Sequence, residues 1–103
     1  MPDLVEVESL PQQPSAAAAH FYAHHMAGIV SYLASGKGDL VLILPFAEVE
    51  HDDWRRAAAR DLARDYAPHR VNVIGGGDAA ARAETLAYLR DAPGVTGQYL
   101  ALS

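Results

Sequence analysis

The chain has no cysteine among its 103 residues, which removes disulfide frameworks and thiolate metal sites and leaves the redox compartment open. Aromatic residues are scarce at 8%, while half of the sequence is apolar and alanine is abundant. A core must therefore rest on closely packed small side chains as much as on bulky ones. Basic residues are outnumbered 8 to 13 by acidic ones, for a formal charge of -5, and no Lys/Arg cluster forms a stripe able to follow a phosphate backbone. Nucleic acid is not an expected partner. No apolar run approaches the roughly 20 residues of a membrane helix. Met1 to Leu10 carries three acidic residues and no cationic segment ahead of an apolar one, unlike a signal peptide. The expectation is a protein without membrane contact, cytoplasmic in location, with a single domain over residues 1–103.

What is present reads as alternating strands and helices. Pro2 to Val7 is β-forming and is closed by the proline-rich stretch from Leu10 to Pro14. Ser15 is the expected N-cap for a helix running to about Ala34, with Tyr22, Met26, Ile29 or Val30, and Leu33 along its apolar stripe. Leu40 to Leu44 is uniformly apolar and of strand length, the pattern of a parallel strand covered on both faces. A helix from Asp52 to Tyr66 carries Trp54, Ala58 and Leu62 on one side and stops before Pro68. Arg70 to Ile74 is a third strand, ended by Gly75, Gly76 and Gly77. Asp78 caps a last helix reaching about Arg90, and Val95 to Ala101 is a fourth strand. Four strands with three helical segments predict an α/β fold, a small, mostly parallel sheet joined by right-handed crossovers with helices on its faces.

The wording of the second half carries a resemblance. Leu62 to Ile74, LARDYAPHRVNVI, is similar to the segment of the short-chain dehydrogenase/reductases in which a helix ends in LA-x-E-x-A and a strand follows as I-R-V-N-x-I-x-P-G. Leu86 to Asp91 with Val95 to Leu100 resembles that family's closing F-L-x-S-D and I-T-G-Q-x-L pieces, and Gly38 to Ile43 resembles its G-x-I-V-N-I strand. The resemblance implies a partial Rossmann-like, three-layer core corresponding to the C-terminal half of that family. It also implies that the first two helices belong to the layer through which family members pair as a four-helix bundle.

Departures from the pattern bear on chemistry. Counting back from Leu62 and Ala63, the family's Y-x-x-x-K pair falls on Glu48 and Asp52. Two carboxylates offer neither a phenol nor a cation to stabilise its phenolate, so they cannot replace that pair. The serine position falls in the Leu44-Pro45 region, the P-G after the third strand becomes Gly76-Gly77, and the glycine-rich dinucleotide turn has no counterpart. No catalytic residue and no cofactor are therefore expected, and the chain reads as a truncated pseudoenzyme of the family.

Three features remain as candidates for binding. Gly75, Gly76, Gly77 and Asp78 lie between a strand and a helix N-terminus, where backbone donors hold anions, although the same glycines serve as a permissive turn. His20 and His24 have the i, i+4 spacing of a metal-binding pair, without a third ligand in sight, and surface histidines are the plainer reading. Glu48, Glu50, Asp52 and Asp53 read as a solvated run that complements a helix dipole. Alanines at 16, 19, 23 and 27 allow close helix approach, and Tyr22, Met26, Val30, Trp54, Ala58 and Leu62 are the expected interface. The expectation is a non-catalytic interaction module, a homo-oligomer with a dimer as first guess, or a subunit pairing with a full-length dehydrogenase. The alternatives are a small-ligand, nucleotide or phosphate binder, or an oxidoreductase-like enzyme with a non-standard site at the Gly75 to Gly77 loop, and a decayed remnant without selected activity.

Overall fold

The uniformly apolar run Leu40–Leu44 forms β2, and all five of its side chains are buried. It lies inside a four-stranded sheet of order β1-β2-β3-β4, in which β1 is Asp3–Glu6, β3 is Val71–Gly75 and β4 is Tyr99–Ala101. Every neighbouring pair is parallel. The computed structural model describes residues 3–103, so Pro2, the expected start of the first strand, lies outside the described residues. The expected α/β class and mostly parallel sheet are present.

The helices depart from expectation in number. In place of one helix from Ser15 to Ala34 there are two, α1 at Pro14–His24 and α2 at Met26–Ala34, with His25 between them at φ -117. The buried positions Ala17, Phe21, Ile29 and Leu33 explain the break. They follow a four-residue rhythm, and in a straight helix of 3.6 residues per turn each such step turns the stripe by about 40°. The interruption at His25 brings Ile29 and Leu33 back onto the sheet, and Phe21 rather than Tyr22 faces inward. Ser15 is not the cap either: Gln13 occupies that position, and Pro14 starts the helix, where its fixed φ and missing N–H are tolerated.

The chain then forms a short 3-10 turn at Val49–His51, α3 at Asp52–Asp65 and α4 at Ala79–Asp91. Asp78 caps α4 as expected, its side chain accepting from Ala81 N at 2.8 Å. Helices α1, α2 and α3 cover the face that carries Leu40, Leu42, Leu44, Val71 and Val73. Helix α4 covers the other, through Leu89 against Val41, Ile43 and Ile74. All strands are parallel and the chain steps across the sheet in one direction, so the β3–α4–β4 connection has the opposite hand to the two before it. Crossovers of uniformly right hand are thereby excluded. Gly76 and Gly77, both at positive φ, make the turn that sends the chain to the other face.

The residues that carry the family-like wording hold this core together. Arg70 donates from its backbone N and Nε to the two oxygens of Asp39, at 2.7 and 3.1 Å, and from Nη1 to Leu89 O and Ala92 O. It therefore ties the start of β3 to the start of β2 and the end of α4. Buried Asn72 donates to Val95 O and accepts from Gln98 N, each at 3.1 Å, while Thr96 Oγ1 accepts from Val71 N. Gly97, at φ 72, lies so close to α3 that a Cβ would come within 3.3 Å of the Ala63 Cβ. The two motif segments are one hydrogen-bonded unit in space.

Candidate functional site

Parallel strands deliver their C-terminal ends to one edge of the sheet, where the following loops leave a crevice. At this edge residues 8–14 after β1 and 45–48 after β2, together with Glu50, His51 and Arg55, enclose a pocket of about 750 Å³. Arg55 is 1% exposed. It stands at i relative to Ala58, Ala59 and Leu62, on the inward stripe of α3, so the helix itself drives a guanidinium beneath the pocket floor.

Two rings fix the guanidinium in place. Its carbon lies 5.4 Å from the Trp54 ring centroid and 5.8 Å from that of Tyr99, both attractive cation–π placements. Nη1 donates to Pro45 O at 2.9 Å and to Tyr99 Oη at 3.2 Å. Gly75 makes the room: a Cβ there would overlap the Tyr99 hydroxyl and reach 3.0 Å from Arg55 Nη1. Nε is buried without a partner.

Beside it, His51 is 5% exposed and joins the two halves of the pocket wall. Its Nε2 is 2.9 Å from Gln12 O, and Trp54 Nε1 donates to its Nδ1 at 3.2 Å. Those two bonds assign the ring proton to Nε2, since a carbonyl oxygen only accepts.

The expected site residues take varied positions. Glu48 is exposed on the pocket rim, and Asp52 begins α3 as the ion-pair partner of Arg56 at 3.6 Å. Gly75 to Gly77 form a turn that is filled by the chain itself. A Cβ at Gly76 would meet Leu102 O at 2.7 Å, and one at Gly77 would meet the Leu102 side chain at 2.7 Å. The Asp78 carboxylate already occupies the helix N-terminus where an anion would sit. His20 stacks 4.4 Å from His24 and 5.7 Å from His25 by ring centroids. Even so, among the described residues no three His, Cys, Asp or Glu side chains gather closely enough to hold a metal.

Of the expected interface residues, Tyr22 is 44% exposed, while Met26, Val30 and Trp54 are half-buried against the core. Ala58 and Leu62 lie inside the chain's own core, packed on the sheet through the inner side of α3. Sequence reasoning missed Arg55 and His51. The signal was the spacing 55, 58, 59, 62, which places an arginine on an otherwise apolar stripe one position from Trp54.

A dinucleotide does not fit this edge. The loop after β1 contains no glycine, and Glu8, Glu48 and Glu50 set three carboxylates around the crevice where a pyrophosphate needs donors. No curated protein and no solved structure matches the chain. The family model described as short chain dehydrogenase-like protein matches residues 5–102, almost the whole sequence. With the four parallel strands and the motif residues that tie β3 to β4, this assigns the chain to the SDR-like family of short chain dehydrogenase-like proteins.

Proposed function

We propose that the chain is a non-catalytic interaction module of the SDR-like family, a single domain over residues 1–103 that works in the cytoplasm and pairs with a second copy of itself through the outer side of α1 and α2. The observation that carries this reading is charge. From Pro14 to Gly36 the sequence contains no Asp, Glu, Lys or Arg, although the two helices expose Ala19, Tyr22, Ala23, Ala27 and Gly28. Solvated helix surfaces ordinarily carry roughly a quarter to a third charged residues. Small side chains permit close helix approach, and a half-exposed tyrosine supplies a rigid anchor. Glu48 and Asp52 at the family's catalytic positions favour a role without hydride transfer.

Size-exclusion chromatography with light scattering tests this. The wild-type chain runs as a dimer at micromolar concentration, and Ala23→Lys, which places an ammonium on the exposed face without touching the core, weakens association at least ~10-fold. A wild-type monomer, or an A23K variant that dimerises unchanged, overturns the reading. Pairing with a full-length dehydrogenase subunit through the same face is the heteromeric form of the proposal. A second reading, small-ligand binding, is favoured by the unpaired guanidinium of Arg55. It moves the ligand from the self-filled Gly75 to Gly77 turn to the pocket after β1 and β2.

A further inference from the structure

We infer that the pocket at the C-terminal edge of β1 and β2 binds a small zwitterionic carboxylate of the α-amino-acid class, its carboxylate held by Arg55 and its ammonium group by the acidic rim of Glu8, Glu48 and Glu50. Arginine keeps its charge in proteins, and a buried charge without a counter-charge is strongly unfavourable. Among the described residues the six ion pairs all use other arginines, so no carboxylate neutralises Arg55. Both Nη1 protons are engaged by Pro45 O and Tyr99 Oη, Nε has no partner, and Nη2 makes no hydrogen bond among the described residues. Nε is closed to solvent, whereas Nη2 is not fully covered, so Nη2 is the donor that a carboxylate in the pocket reaches, as a charge-assisted hydrogen bond. Trp54, Tyr99 and Gly75 hold the group in position beforehand, so little side-chain freedom is lost on binding.

The surroundings select the rest of the ligand. Glu8, Glu48 and Glu50 are exposed around the pocket and repel a multiply charged phosphate, whereas they attract the ammonium group of a molecule whose carboxylate is already neutralised. Leu10 and Phe46, the latter 61% exposed, offer an apolar wall for a side chain. The volume of about 750 Å³ falls within the range of small-molecule sites. The site is independent of the α1–α2 outer face, so either proposal stands if the other fails.

Calorimetric titration and thermal shift on the intact chain test it, with the proteinogenic L-amino acids as probes. Phenylalanine is paired with 2-phenylethylamine, which lacks the carboxylate, and with 3-phenylpropionate, which lacks the ammonium. Inorganic phosphate is the anion control. At least one amino acid saturates the protein, its amine analogue gives no binding, its acid analogue binds at least ~10-fold more weakly, and phosphate is silent. Arg55→Met abolishes binding. Should that variant fail to fold, the double variant Glu48→Gln/Glu50→Gln, at two exposed positions, weakens binding by roughly fivefold or more. Silence of every amino acid, saturation by phosphate alone, or unchanged affinity in R55M or in E48Q/E50Q overturns the inference.

Discussion

Single residues explain why the family-like wording is concentrated where it is. Arg70, Asn72, Thr96 and Gly97 each close a gap between β3, β4 and a neighbouring helix with a directed hydrogen bond or a close backbone approach. Asn72 is the sharpest case, because its side chain satisfies both Val95 O and Gln98 N from a fully buried position. Asn72→Ala leaves both without that partner and should lower stability by about 1–3 kcal/mol for each group left unsatisfied. Denaturant unfolding followed by circular dichroism measures it, and an unchanged midpoint would show that the loop rearranges to pair with itself. Arg55 is the contrasting buried polar group. Its donors are only partly satisfied by the chain, the arrangement expected where a ligand completes the set rather than where a fold is being secured.

At the scale of elements, the histidine-bearing helices have a distinct response to acid. His25 titrates below the ordinary histidine value because burial disfavours its charged form and because His20 and His24 lie nearby. The unfolded chain therefore takes up this proton first as pH falls. Stability from His25 is complete above about pH 6.5 and declines below it, since the unfolded state binds more protons there. Thermal unfolding between neutral and mildly acidic pH should show a falling midpoint in the wild type and a shallower fall in His25→Gln. Equal slopes would assign the acid sensitivity to other groups. His25 also stands at the junction of α1 and α2, so the loosening concerns the layer proposed to mediate pairing. Acid should accordingly shift the light-scattering mass toward monomer in the wild type more than in the variant. Helix α3 is built differently. Its outer side is charged, with Arg56 paired to Asp52 and Asp53 and Arg64 to Asp61, and its inner side carries alanines and Leu62 onto the sheet.

Across the whole molecule, β2 and β3 form a fully buried centre between two helical layers, whereas β1 and β4 are edge strands with largely half-buried or exposed side chains. Amides of Leu40–Leu44 and Val71–Gly75 should exchange with solvent roughly tenfold or more slowly than those of Asp3–Glu6, read by hydrogen-exchange mass spectrometry. Comparable rates across the sheet would mean that the edges are covered in solution. The element types were legible from the chain because they rest on local rules: the apolar run at β2, the aspartate cap of α4, the glycines after β3. The family was legible because the wording of Leu62 to Ile74 and Val95 to Leu100 is itself distinctive, and in the fold these segments meet through hydrogen bonds that join Val71 and Asn72 to the stretch Val95 to Gln98. The break at His25, the inward turn of Phe21 in place of Tyr22, the face taken by α4 and the burial of Ala58, Leu62 and Arg55 were settled only by packing. Spacing within one helix marks a stripe, as at 55, 58, 59 and 62, but which neighbour closes over that stripe is decided by packing between elements. The candidate pocket belongs to the same class, because it joins residues 8–14, 45–48 and Arg55 from three elements that meet only when the parallel strands align their C-terminal ends.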